Sequence, residues 1–283
     1  MIKKQKWHEN LYRFSLDCKN KEKKYLYVCS DIHIDNIHCN RKLFKEHLEK
    51  AMELDAMIAI HGDFFCLMQG KYDPRSSKSS IMPEHIGGNY IEKVIDDAVE
   101  FMMPYAKNII LISKGNHETS VSNRMEFDIT KFFLEKLNRL AGSDIYMGEY
   151  GGYYVLNFQH NESSKKSVNV AYHHGNWGGV VSKGTQGANR YGLIYPNADL
   201  FFSGHTHDGW ILPIPRLVLN SSKFKVELKN QWHVKTGTYK EEYLDQKGWA
   251  VEKIVMPKFI GGALIEFTYN QKEDIKYDIK LLS

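Results

Sequence analysis

Cysteine is scarce in this chain of 283 residues: Cys18, Cys29, Cys39 and Cys66 are the only four, all in the first quarter, and none stands in a CxxC pair. That pattern excludes a disulfide-stapled scaffold and a thiolate metal knuckle, and it predicts four free thiols in a reducing compartment. Long hydrophobic runs are missing too. No segment approaches the roughly 18 uninterrupted apolar residues of a membrane span, and the start, Met1-Ile2-Lys3-Lys4-Gln5-Lys6, leads into no apolar stretch of the kind a secretory leader needs. A soluble, cytoplasmic protein with no membrane partner is expected. Nor does charge of one sign dominate. Lys and Arg number 38 against 34 Asp and Glu, a net charge of +4, and much of the excess lies near residues 3–6 and 19–24. Such clustering suits a solvated terminal arm better than a nucleic-acid groove.

What is present is an ordinary globular composition, 42% hydrophobic and 25% charged, which rules out disorder, collagen and coiled coil. The length allows one large α/β domain to bury its core without structural metal, so metal ligands found here need another explanation than stability. Residues 1–24 are read as an arm or an appended strand, and 25–283 as a single domain with a β-rich C-terminal part. Tyr25 to Ser30 forms a β-rich run, and Asn40 caps a helix carrying Leu43, Phe44, His47, Leu48, Ala51 and Met52 on one face. Ala56 to Ile60 and Ile109 to Ile112 are short buried-type strands. Between them Tyr90, Ile91, Val94, Ile95, Ala98, Val99 and Met102 recur at helical spacing, and Phe127 to Leu140 gives another helix closed by Gly142. Then Gly152 to Phe158, Ser167 to Tyr172 and Asp199 to Phe202 read as strands, and the tail from Trp210 is mostly β. Helical crossovers imply parallel strands and the later hairpins antiparallel additions, hence a mixed sheet covered by helices. Gln69 to Asn89 and Gly175 to Gly192 are expected to be long irregular loops.

The chemistry concentrates at strand ends. Five expected strands stop at Asp31-Ile32-His33, Gly62-Asp63, Gly115-Asn116-His117-Glu118, His173-His174-Gly175 and Gly204-His205-Thr206-His207. The carboxyl ends of parallel strands share one edge of an α/β sheet, so these residues would converge there. Carboxylate, imidazole and amide donors without thiolate suit Mn²⁺, Fe²⁺ or Zn²⁺. Seven candidate ligands are too many for one tetrahedral site and about right for two ions sharing a carboxylate, the arrangement that stabilises attacking and leaving oxygens in phosphoryl transfer. His8, His38, His47, His61, His85, His160 and His233 stand outside these motifs and are read as structural.

In this order the set DxH, GD, GNHE, His-Gly and GHTH resembles the calcineurin-like metallophosphoesterase family over about residues 25 to 210, and the Lys-, Asn- and Tyr-rich composition is similar to phage-encoded members. The resemblance implies an α/β fold, a metallophosphoesterase-type β-sandwich of mixed sheets flanked by helices. It also implies that Asp31, His33 and His207 hold a first metal, that Asn116, His174 and His205 hold a second, and that Asp63 bridges them. His174 is preferred to His173 because the family's ligand directly precedes the glycine. Two divalent ions, manganese first with iron or zinc next, would be the cofactors; His117 would protonate or orient the leaving oxygen while a metal-bound hydroxide attacks phosphorus.

For the substrate, Arg124 after the GNHE motif, and Trp177, Lys183, Asn189 and Arg190 in the Gly-rich stretch, are placed to reach a phosphate; Arg124 and Arg190 are taken as substrate-binding. Phosphodiesters are favoured over monoesters, a nucleotide or nucleic acid being one candidate class. A nuclease of the same family is the alternative enzyme, although only about seventy residues follow Trp210, too few for a large DNA-capping domain. A catalytically silent metal-binding interaction module is the alternative from another class. Phe64, Phe65, Leu67 and Met68 would line a lipid lid or, more commonly for such a cluster, core.

Overall fold

The computed structural model describes residues 2–67, 77–161, 164–176, 181–221, 224–244 and 249–283. Its elements run β1 (Ile2–His8), β2 (Leu11–Asp17), β3 (Lys23–Cys29), α1 (Arg41–Glu53), β4 (Met57–His61), α2 (Tyr90–Met102), β5 (Ile109–Ser113), α3 (Asn116–Met125) and α4 (Ile129–Ala141). They continue with β6 (Tyr146–Gly148), β7 (Gly151–Gln159), β8 (Lys165–His173), α5 (Gln186–Ile194), β9 (Leu200–Ser203), β10 (Trp210–Asn220), β11 (Lys225–Lys235), α6 (Trp249–Glu252), β12 (Gly262–Thr268) and β13 (Lys276–Leu282).

Among the described residues two mixed sheets form, one of seven strands in the order β1-β2-β7-β8-β9-β11-β10 and one of six in the order β13-β12-β3-β4-β5-β6. In the second, β3, β4, β5 and β6 are parallel, and β12 and β13 add antiparallel strands at one edge. Period two explains why β3, β4 and β5 read as unbroken apolar runs: both faces are buried. Leu26, Val28, Met57, Ala59 and Leu111 face Phe14, Tyr154, Leu156, Val170 and Phe202 of the other sheet. Tyr27, Cys29, Ile58, Ile60 and Ile112 turn outward onto the helices, against Phe44, Val94, Val99 and Phe133. The sandwich flanked by helices is the expected fold.

Helix boundaries follow local chemistry. Asn40 Oδ1 accepts the Leu43 N–H at 3.0 Å and Asp128 Oδ1 that of Lys131 at 3.1 Å, so both helices start at side-chain caps. Gly142 ends α4 in the left-handed region, φ +59°. Phe64, Phe65 and Leu67 are buried, the two phenyl rings against Phe133 of α4, so this cluster is core; Met68 lies outside the described residues.

Of the two readings of the N-terminal residues, arm or appended strand, residues 2–17 take the second form: β1 and β2 are an antiparallel pair, and β2 lies parallel to β7 in the larger sheet, so the charged cluster at residues 3–6 is no solvated arm. One expectation needs correction. The stretch from Gly175 to Gly192 is not wholly irregular, because α5 occupies its second half. Propensity hid that helix, since Gly187 and Gly192 weaken it and Thr185 gives no side-chain cap. Packing holds it instead, with Tyr191 stacked on Phe201 at 4.4 Å between ring centres. In the earlier stretch, residues 78–80 and 83–85 form single 3₁₀ turns. No helix of the described residues is long and apolar enough to cross a membrane.

Because Leu156 belongs to the core shared by the two sheets and is fully buried, Leu156→Ala should lower unfolding free energy by about 2–5 kcal/mol. Urea denaturation followed by tryptophan fluorescence measures it, and a loss below about 1 kcal/mol would show that this position is not packed as described.

Candidate metal centre

The five motifs leave the C-terminal ends of β3, β4, β5, β8 and β9, and the loops that carry them are stitched to one another. Asp31 N–H donates to Gly62 O at 3.0 Å, His33 N–H to Asp63 O at 3.1 Å and Gly204 N–H to His174 O at 2.8 Å. Below them the chain after β11 braces Asp31, whose carbonyl accepts Tyr239 N–H at 3.0 Å and Thr238 Oγ1–H at 2.6 Å. The turns are sharp. Asp31, His33, Asp63, His205 and His207 all have φ between +50° and +71°, a region costly for side chains of this size and kept only where surrounding contacts impose it.

Glycine makes the close approach sterically feasible at two points. A Cβ on Gly204 would stand 2.1 Å from Ser30 Oγ and 2.3 Å from Asp31 Oδ2; one on Gly62, itself at φ +85°, would stand 2.4 Å from His174 Nδ1.

Of three groups of donor atoms that result among the described residues, two contain a carboxylate, Asp31 with His33 and His207, and Asp63 with His174 and His205. In the first, His207 Nε2 lies 3.3 Å from Asp31 Oδ1 and 3.4 Å from His33 Nε2. In the second, His174 Nε2 is 3.1 Å from Asp63 Oδ2, and Asn116 Oδ1 is 3.1 Å from His174 Nε2 and 2.7 Å from His205 Nδ1. Two donors each about 2.1 Å from one ion and at right angles stand about 3 Å apart, so these spacings are those of ligands sharing a cation. His174 Nδ1 donates to the His61 carbonyl at 3.0 Å, which turns its Nε2 inward, as outer-shell partners of metal-bound histidines do. Asp31, His33, Asp63 and His174 form a buried floor, while Asn116, His205 and His207 make a partly open rim.

The electrostatics fit a cation. Burial opposes charge on both carboxylates, yet the imidazoles around them, led by His207 for Asp31 and His174 for Asp63, hold both below the ordinary carboxylate range. Burial likewise pushes His174 down, but Asp63 and Asp31 together outweigh it and lift its imidazole to about 10. In the metal-free chain a proton on His174 stands where a cation would, and it has to leave Nε2 before that nitrogen can ligate a metal. His33, without so close a carboxylate, is driven well below its usual value by burial and by His117. Cys66 makes the third group with His33 and His117, and burial raises its thiol well above the usual value.

The seven expected ligands therefore come together. His173 does not join them: its Nδ1 accepts Gly175 N–H at 3.1 Å and its ring packs against Tyr150 and Tyr191. His117 sits at the rim, Nδ1 donating to Cys66 O at 2.6 Å and Nε2 3.9 Å from Asp63 Oδ2. Arg124 is on the last turn of α3, about 12 Å along the helix from Asn116 at 1.5 Å per residue, and its Nε donates to Ser120 Oγ. Arg190 is an exposed residue of α5, and Trp177 lies outside the described residues. Glu118 was left without a role by the sequence, yet its carboxylate accepts the N–H groups of Asp63, Phe65 and Gly115 at 3.2, 2.8 and 2.8 Å. Its place three residues after Gly115, at the start of α3, is half of a capping-box signature and was the available signal.

A calcineurin-like phosphoesterase family model matches residues 25–209. No curated protein sequence matches the chain. Among solved structures, zinc-complexed Vps29 from Entamoeba histolytica is 10% identical with a TM-score of 0.39, covering 91% of this chain and 98% of its own. A predicted phosphoesterase from Streptococcus pneumoniae is 12% identical with a TM-score of 0.33, covering 92% and 99%. GAP50, the anchor in the inner membrane complex of Plasmodium, is 15% identical with a TM-score of 0.41, covering 92% and 84%.

Gly204→Ala tests the tightness of the centre. The added methyl should displace Asp31 and weaken divalent-ion binding at least about tenfold by calorimetry, a loss of roughly 1.4 kcal/mol, while the circular dichroism spectrum stays that of the parent. Unchanged affinity would mean that the Gly204–Asp31 contact does not shape the site.

Proposed function

The chain belongs to the calcineurin-like phosphoesterase family, and from that premise we propose that it is a metal-dependent phosphoester hydrolase that prefers phosphodiesters. Asp31, His33 and His207 hold one divalent ion in this reading, Asn116, His174 and His205 a second, and Asp63 is shared between them. The observation that carries it is the pair of donor groups at ligand spacing with His117 at their open rim. Such a pair of ions, when bound, supplies Lewis acidity toward phosphoryl oxygens and makes water nucleophilic near neutral pH. The imidazole-rich set favours Mn²⁺, with Fe²⁺ or Zn²⁺ also suited, and disfavours Mg²⁺.

The chain's own residues do the rest. The Cys66 carbonyl can only accept, so His117 carries its proton on Nδ1 there and presents Nε2 to the site. A proton on Nε2 can then pass to the departing oxygen of the ester. Beside His205 and His207 lies a cavity of about 410 Å³, within the usual size of small-molecule sites, with Leu244, Val255, Met256 and Ile260 in its wall. Its cations are committed elsewhere: Lys240 pairs with Glu242 at 2.8 Å and Lys258 with Asp208 at 3.1 Å. A wall with apolar surface and paired charges suits the organic arm of a singly charged diester better than a dianionic monoester. The four buried free cysteines suit a reducing, cytoplasmic setting.

Three outcomes test this. Chelation should abolish hydrolysis of bis-p-nitrophenyl phosphate, and Mn²⁺ should restore it at least as well as Mg²⁺; full turnover in excess EDTA after dialysis would end the metal-dependent reading, and ion binding without any turnover would leave a metal-binding interaction module. Asp63→Ala should cost more bound metal by elemental analysis than any other single ligand change. Retention of both ions there, with loss in Asp31→Ala, would show that Asp63 is not shared. His117→Ala should keep the metal yet slow alkyl or nucleotide esters by roughly 10²–10⁴ and aryl esters far less, since p-nitrophenolate leaves without a proton. Equal losses on both would point to a contact with the phosphoryl oxygens instead.

A further inference from the structure

Asp35 is 2% exposed and, among the described residues, no Lys, Arg or His pairs with it. Three donors satisfy it instead. Cys66 N–H reaches Oδ1 at 2.6 Å, and Leu67 N–H and Tyr90 Oη–H reach Oδ2 at 2.8 and 3.0 Å. The Leu67 N–H belongs to the same peptide group as the Cys66 carbonyl, and that carbonyl accepts the His117 Nδ1 proton at 2.6 Å. One amide plane therefore stands between a buried carboxylate and the imidazole, gripped at its N–H by the first and at its C=O by the second.

We propose that Asp35 is a positioning residue for His117 and acts through the Cys66–Leu67 peptide. This rests on the role given to His117 above. A carboxylate on the N–H of an amide polarises it and makes its oxygen a stronger acceptor, and hydrogen bonds in series reinforce one another in a dry interior. The strengthened carbonyl holds the ring in one orientation and keeps the proton on Nδ1, so that Nε2 faces the donor cluster. A buried carboxylate placed directly behind a histidine does the same in hydrolytic triads; here a peptide carries the effect. The backbone is set for it: Leu67, a γ-branched residue, sits at φ +56°, and Asn36 Nδ2 steadies Cys66 by donating to its sulfur at 3.1 Å. Simple loop anchorage would be served by any acceptor of these N–H groups, whereas the polarised peptide requires a carboxylate.

The test has two arms. In the metal-free parent, ¹⁵N spectra of histidine-labelled protein, with the His117 signals assigned by their absence from His117→Ala, should show His117 as the Nδ1–H tautomer. In Asp35→Asn, one of the two loop N–H groups meets an amide instead of an oxygen, and the Nδ1–H population should fall. The second arm is kinetic. Asp35→Asn should lower kcat on a nucleotide ester by roughly ten- to a hundredfold, less than removal of the acid itself, with KM held and an aryl ester slowed less than about threefold. In a His117→Ala background the same change should cost less than about twofold, because the coupling partner is gone. An Nε2–H tautomer in the parent overturns the proposal even if Asp35→Asn fails to fold, and so does an equal loss with and without His117. If the metal-loaded chain hydrolyses no phosphoester, the proposed function fails, and the nitrogen spectra alone then decide the role of Asp35.

Discussion

Two carboxylates buried at strand ends, Asp31 and Asp63, are what the rest of the centre is arranged around. An ionised carboxylate removed from water is tolerated only with positive charge or several donors at hand. Asp31 takes the Ser30 hydroxyl and the His205 N–H, and Asp63 takes the His117 N–H at 2.9 Å. What those donors leave uncompensated is met by imidazoles from both sheets, His207 and His174 on loops of the larger and His117 and His33 on loops of the smaller. The larger sheet therefore contributes His174, His205 and His207, the smaller one both carboxylates with His33, Asn116 and His117, and the sandwich brings the two sets face to face.

That requirement explains the backbone. Loops that must point five side chains inward from the ends of straight strands have to reverse within one or two residues, and the left-handed conformations at Asp31, His33, Asp63, His205 and His207 are how they do it. The cost is met by the rigid cores on either side and by hydrogen bonds between the loops. Glu118 adds to this by gathering three N–H groups from two motifs at one carboxylate, although burial and the nearby Asp63 lift its pKa to about 7.

The parts of this arrangement that sequence revealed are those where one residue does one job. Period two in β3 to β5, helical period in α2, the Asn40 cap of α1 and the Gly142 stop of α4 appear as patterns because each is local. The convergence of the five motifs was legible because each carries its own ligand and four of the five carry a glycine. α5 was not, since its stability comes from Tyr191 meeting Phe201, a contact that propensity does not encode. Nor were Asp35, Thr238 or Tyr239, which reach the centre through backbone groups of residues more than 30 positions away and leave no spacing to read. The segment after β11, read from sequence only as part of a mostly β tail, braces Asp31 from below and walls the cavity beside His207.

This division between direct and indirect residues has a consequence for how the centre tolerates change. The floor, Asp31, His33, Asp63 and His174, is buried, interlocked and coupled, so altering one member changes the charge felt by the others. The rim is tied to that floor: His117 donates Nδ1–H to the Cys66 carbonyl and its backbone N–H to Asp63, and His205 meets the Asn116 amide and donates its own N–H to Asp31. The peptide behind His117 and the wall beside His207 are the parts of the rim that lie furthest from Asp31 and Asp63 in the network of contacts. His117 stands at the junction of the two, since its imidazole acts on the buried Asp63 and His33 while its ring lies at the open side.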